Sequence, residues 1–159
     1  MNITLKNIKH SAFASQETHC FEAVLYVNGK AFATIKNEGF GGCDHVEPIK
    51  GGFTPEFLAT LKDVSAYVKS ICTEEYASLE YWCALQVNDW LMRKDLRNGL
   101  KNKVLGIGAD GKVYSWKKIS GVTLDRVITA VKAVRPDTVI LNEMSEDDAF
   151  RLFKQAMAA

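Results

Sequence analysis

The sequence predicts one α+β domain, a mainly antiparallel sheet packed against helices. Two observations lead there. Within residues 19–27 a period of two puts Phe21, Ala23, Leu25 and Val27 on one, core face and Cys20, Glu22, Val24 and Tyr26 on the other, whereas from residue 54 onward apolar residues recur at spacings of three and four. The elements also come in runs, in the order β-β-β-α-α-β-β-α-β-α, without the regular βαβ alternation of a parallel sheet.

Each element has a local cause. Ile3 to Lys9, His19 to Val27 and Ala31 to Lys36 read as strands; in the second, Phe21, Ala23, Leu25 and Val27 fall on one face. Asn28-Gly29 separates the second strand from the third, and both residues tolerate the positive φ of a type I′ hairpin. The stretch Asn37 to Gly52, rich in glycine, reads as a long irregular loop, a kind of segment that often carries function. Thr54 then caps a helix that has Pro55 in its first position and an apolar stripe of Phe57, Leu61, Val64, Val68 and Ile71.

A second helix is expected from Thr73, with Glu74 and Glu75 at its positive end. It turns Tyr76, Leu79, Cys83, Val87 and Trp90 toward the core and stops near Gly99. Val104 to Gly108 and Lys112 to Trp116 form a hairpin through Ala109-Asp110-Gly111. Thr123 caps a third helix carrying Leu124, Val127, Ile128, Val131 and Val134 and ending before Pro136. Thr138 to Leu141 is a short strand, and Ser145-Glu146-Asp147-Asp148 opens a last helix with a variant capping box.

Of the 159 residues 47% are apolar and 25% charged, which excludes a disordered chain and suffices for a core without metal or disulfide. Cys20, Cys43, Cys72 and Cys83 are too irregularly spaced for a disulfide framework and are expected reduced. No apolar run reaches membrane-spanning length, and the opening residues lack a secretory core, so the expected location is the bacterial cytosol without membrane contact.

The formal charge of +1 hides a strong partition: the nets are −4 over residues 1–92, +6 over 93–118 and −1 over 119–159. The basic block comprises Arg93, Lys94, Arg97, Lys101, Lys103, Lys112, Lys117 and Lys118. Cations near a helix C-terminus offset its dipole, which accounts for Arg93 to Lys103 without any ligand. The same strip, with Tyr114 and Trp116 nearby, also suits an acidic protein surface or a nucleic acid. A pI near 7.6 argues against nucleic acid as the sole partner.

A second candidate is the group His19, Cys43, Asp44 and His45, which the hairpin brings to one end of the sheet. It could hold a metal, or pair Cys43 with a histidine base, or simply shape a turn; no CxxC or HxxxH spacing supports a metal, and no metal or cofactor is expected. Gly39, Gly41 and Gly42 lack the Gly-Lys-Ser/Thr ending of a phosphate loop, and Gly106-Ile107-Gly108 opens no helix. Tyr81, Trp82 and Trp90 read as core or interface aromatics. No catalytic motif is present, and binding is preferred to catalysis.

The stretch from His10 to Ala23, HSAFASQETHCFEA, then Leu25-Tyr26-Val27-Asn28-Gly29-Lys30, Gly39-Phe40-Gly41-Gly42 and the ending Leu141-Asn142-Glu143-Met144 resemble small proteins encoded by bacteriophages and mobile elements of bacteria. The resemblance implies no catalytic residues. It implies a stoichiometric inhibitor of a host protein or nucleoprotein complex, including CRISPR-type immune effectors in the manner of anti-CRISPR proteins. The expected contact surface is Arg93, Lys94, Arg97, Lys101, Lys103, Lys117 and Lys118. The alternatives are a small enzyme or ligand-binding protein built on the His19, Cys43, Asp44 and His45 group, and a self-associating protein using the aromatic face of the long helix.

Overall fold

A computed structural model describes residues 1–158. The fold is α+β, as the element order predicts, with its strands divided between two antiparallel sheets. The chain forms two compact units, Met1–Trp90 and Leu91–Ala159, and one helix runs through the division.

The first unit holds β1 (Ile3–His10), β2 (Cys20–Val27), β3 (Lys30–Glu38) and β4 (His45–Pro48), adjacent in that order, followed by α1 (Pro55–Ile71) and the first half of α2 (Leu79–Asn102). In β2 the alternation is realised: Phe21, Ala23, Leu25 and Val27 are buried, and Ala33, Ile35 and Asn37 continue that face on β3. Asn28 and Gly29 adopt φ of 49° and 80°, the turn that the Asn-Gly pair predicts. A bulge opposite Leu25 and Tyr26 leaves Phe32 without a cross-strand partner. Phe32 stacks instead on Phe57 of α1, with ring centroids 4.7 Å apart.

Four expectations in this unit need correction. Ile71, at the end of the α1 stripe, is 48% exposed instead of buried. The stretch 37–52 is not wholly irregular: β4 lies within it and pairs with β3, Lys36 opposite His45 and Ala33 opposite Pro48. With His45 and Glu47 exposed and only Val46 apolar between them, four residues carry too little alternation to be read as a strand. Helix α2 starts at Leu79, where the Ser78 hydroxyl accepts from Tyr81 N–H at 3.1 Å, and the Thr73-Glu74-Glu75 signal caps nothing. Tyr76, outside the helix, is therefore 71% exposed instead of in the core.

The second unit contains the rest of α2, then β5 (Lys103–Ile107), β6 (Val113–Lys117), α3 (Leu124–Val134), β7 (Val139–Ile140), a 3₁₀ turn at Leu141–Glu143 and α4 (Glu146–Ala158). Its sheet has the order β6-β5-β7. The central strand β5 is apolar on both faces: Leu105 packs with Leu96, Leu141, Ala149 and Phe150, while Val104 packs with Ile128, Val131 and Ile140. Gly99 does not stop α2. It sits inside the helix because a Cβ there would come within 2.8 Å of Leu105 Cδ1. Val134, at the end of the α3 stripe, is 81% exposed. Thr123 caps α3 as predicted, and at α4 Asp148 N–H donates to the Ser145 hydroxyl at 3.2 Å.

Asn142 knots this unit together. Its side-chain oxygen accepts from Leu105 N–H at 2.8 Å, and its amide donates to Lys103 O at 2.9 Å and Leu100 O at 3.2 Å. Asn142→Ala removes all three bonds and leaves half-buried backbone groups without partners, so it is expected to cost about 2–3 kcal/mol in urea denaturation.

Candidate functional site

The glycine loop of the first unit is organised by Asn37, a polar residue in the buried phase of β3. Its Oδ1 accepts from the Thr18 hydroxyl at 2.7 Å and from Gly39 N–H at 2.9 Å; its Nδ2 donates to Asp44 Oδ1 at 2.8 Å and Gly42 O at 3.0 Å. Gly39 O in turn accepts from the backbone N–H groups of Gln16 and Glu17, both at 2.9 Å. Gly39 has φ of 90°, and a Cβ there would collide with the backbone oxygen of Ala14, so only glycine fits.

Beside this loop lies a cavity of about 300 Å³ whose lining includes Thr18, His19, Cys43, Asp44, Glu80 and Tyr81. The structure thus brings His19, Cys43 and Asp44 to one cavity. His45 does not line it: it is exposed on β4. Glu80, which no sequence pattern singles out, and Tyr81, expected as a core or interface aromatic, both belong to the site because they fall on the helical turn that Ser78 starts.

The histidine is already committed. Ser15 Oγ donates to Ser11 O at 2.7 Å, so it accepts from Cys20 N–H at 2.8 Å and presents a lone pair to His10 Nε2 at 3.2 Å. That makes His10 Nε2 a donor, and it reaches His19 Nδ1 at 3.3 Å. His19 Nε2 then donates to Asn88 Oδ1 at 2.8 Å. With one ring nitrogen facing His10 and the other Asn88, His19 is held in place and orients the β1–β2 connection.

Asp44 is the unusual group. Its Oδ1 is held by Asn37, but its Oδ2 is buried and has no hydrogen-bond partner among the described residues. Burial raises its pKa above the ordinary carboxyl value; the Asn37 bond opposes this and the nearby Glu80 charge adds to it. The Cys83 thiol is pushed far up by burial, and further by Asp44 and Glu80, so it stays protonated. The cavity is an acidic one, with Asp44 and Glu80 in its lining. Among the described residues no group of His, Cys, Asp and Glu is arranged to hold a metal ion.

In the second unit the basic block separates into two parts. Arg93 reaches Asp147 at 2.9 Å and lies over the Phe150 ring, 3.9 Å from its centroid; Arg97 Nε donates to Glu146 at 2.8 Å. These arginines neutralise the acidic first turn of α4. Lys103 and Lys117 are directly opposed on β5 and β6, with Lys101 just before and Lys118 just after them in the chain. None of these four lysines has a carboxylate partner among the described residues. Lys94 lies on α2, one turn before Asn98.

The raised pKa of Asp44 sets a pH dependence. Below about pH 3.9 the carboxyl is protonated in both folded and unfolded chains and its contribution is fully present. As pH rises the unfolded chain ionises first, so stability is lost until the raised folded value is passed, and the deficit is constant above it. Asp44→Asn keeps the acceptor for Asn37 and removes the charge. The stability of the variant minus that of wild type is expected to increase from about pH 4 upward and then level off, measured by urea denaturation across pH; a flat difference excludes the burial argument.

Comparison of the chain with protein-family models, with curated proteins and with solved structures finds no match.

Proposed function

We propose that this chain is a binding protein of bacteriophage or mobile-element type that blocks a host protein or nucleoprotein complex by attaching to an acidic surface, a CRISPR-type immune effector being the kind of target its resemblance implies. The observation that carries this reading is the Lys103–Lys117 pair. Lys118 N–H donates to Asn102 O and Gly108 N–H to Lys112 O, so the hydrogen-bonded pairs of this ladder fall on even-numbered residues. Lys103 and Lys117 therefore form a non-hydrogen-bonded pair, the arrangement in which opposed side chains come closest. Two like charges so placed weaken a hairpin unless an anion is supplied from elsewhere. The C-terminal dipole of α2 supplies part of it, and an acidic partner would supply the rest.

Of the seven cations that the sequence nominates, Arg93 and Arg97 are held by α4, and Lys101, Lys103, Lys117 and Lys118 are the ones offered to a partner. The test is affinity capture from bacterial lysate, with and without nuclease, comparing wild type with K101E/K103E/K117E/K118E. The variant is expected to keep its circular dichroism and lose the captured protein; a fully folded variant that captures as much sinks the reading. Loss of the partner after nuclease would identify a nucleic-acid bridge. Reversal of Arg93 and Arg97 should instead lower the melting temperature, because it sets like charges against Glu146 and Asp147.

A second reading has one observation in its favour: the unpartnered Asp44 Oδ2 beside an acidic cavity suits a small ligand bearing an ammonium or guanidinium group. Agmatine and spermidine are expected to raise the melting temperature of wild type but not of Asp44→Asn with Glu80→Gln. Equal shifts in both proteins would remove the cavity from consideration.

A further inference from the structure

We infer that the open edge of β6, with the groove between β6 and α3, takes up an extended segment of a partner protein as an added β-strand, and that this segment alternates apolar and acidic residues. The inference rests on the binding reading above and names the chemistry of the partner.

The backbone argument comes first. In the order β6-β5-β7, β6 is an edge strand. Even-numbered residues of β6 turn their N–H and C=O groups toward β5, so Val113, Ser115 and Lys117 turn theirs to the open side. The same phase on β5 is confirmed independently, because Lys103 and Leu105 face away from β6 and bond Asn142. Three residues of β6 thus offer a ready ladder to a fourth strand, the requirement for strand addition.

The side chains then say which strand. Beside the edge runs a groove of about 480 Å³, lined by Trp116 and Ile119 on one side and by Val127, Val131 and Val134 of α3 on the other. Ile119 and Val134 are 64% and 81% exposed, an apolar surface with nothing over it among the described residues. Every second side chain of an added strand would enter this groove. The remaining side chains would point to the opposite face of the sheet, where Lys103 and Lys117 stand at one end and α4 packs over Leu105. Arg135 closes the groove, its guanidinium 4.7 Å from the Tyr114 ring centroid. Apolar residues on one face and carboxylates on the other satisfy both surfaces. A second copy suits the edge less well, because its β6, Val-Tyr-Ser-Trp-Lys, carries no carboxylate to set beside Lys117.

The test uses fluorescein-labelled eight-residue peptides, one alternating valine and glutamate, the other with the same residues in two blocks, and labelled oligothymidylate of twelve nucleotides, read by polarisation. The alternating peptide is expected to bind at least tenfold more tightly than the block peptide. Ser115→Pro removes an N–H that points outward, so it should leave the β5–β6 ladder and the melting temperature intact and weaken the alternating peptide at least tenfold. N-methylation of alternate amides in the peptide should do the same without altering the protein. Equal binding of the two peptides, binding of neither, an unaffected Ser115→Pro, or preference for oligothymidylate overturns strand addition. Concentration-dependent dimers that Ser115→Pro abolishes would assign the edge to a second copy and overturn it too. If Ser115→Pro still captures the lysate partner while the lysine variant does not, strand addition fails and the binding reading stands; if the lysine variant captures the partner in full, the binding reading fails.

Discussion

The amide of Asn37 is the interaction on which the first unit depends. It lies in the core phase of β3, where an unsatisfied polar group would cost more than any single apolar contact there returns. All four of its hydrogen-bonding positions are filled: two donors reach Asn37 and two acceptors receive from it, drawn from the β1–β2 connection, the glycine loop and the strand entry at Asp44. Three segments far apart in sequence are fixed by one side chain. The glycines of the loop follow from this, because Gly39 must bring its own N–H to Asn37 and its carbonyl to the Gln16 and Glu17 amides at once.

The second unit solves its own problem in the same way. Asn142 satisfies the last carbonyl region of α2 and the first residues of β5, where the chain passes from helix to strand with no turn between Asn102 and Lys103. A helix end leaves its last carbonyls without intrahelical partners, and here the chain turns straight into a strand. Asn142 reaches them from the 3₁₀ turn, and in doing so takes the outward side of β5 next to β7.

The elements that the sequence made legible are those whose signal is local. Asn28-Gly29, Thr54-Pro55 and Thr123 each specify their backbone through their own side chains, and each is found where that chemistry puts it. What misled is equally local: Thr73-Glu74-Glu75 has the chemistry of a helix start, but Ser78 offers the same hydroxyl and α2 begins there. Gly99 looks like a stop, yet its lack of a side chain serves the packing of Leu105, a residue of the next strand, which no window around Gly99 contains. In the candidate cavity His19, Cys43 and Asp44 were legible as reactive types near one hairpin end. Their states were not, because the commitment of His19 depends on Ser11, Ser15, His10 and Asn88 in sequence. One signal was available: Asn37 follows Ala33 and Ile35 in the core register, and a polar residue in that phase must be part of a network.

Charge follows a similar division between what composition counts and what geometry assigns. Eight cations between residues 93 and 118 make one block in the sequence, but the fold gives them different tasks. The first turn of α4 carries three acids because its free N–H groups favour negative charge, and those acids then draw in Arg93 and Arg97. The guanidinium of Arg93 suits this place, since it can meet carboxylates at its edge and lie flat on Phe150 at the same time. At the β5–β6 end Lys103 and Lys117 have no such acids among the described residues and oppose each other instead. Stability alone would favour replacing one of an opposed pair, so their placement beside an unpaired strand edge and an open apolar groove concentrates three incomplete interactions at one end of one unit. A single acidic, extended, alternating strand completes all three.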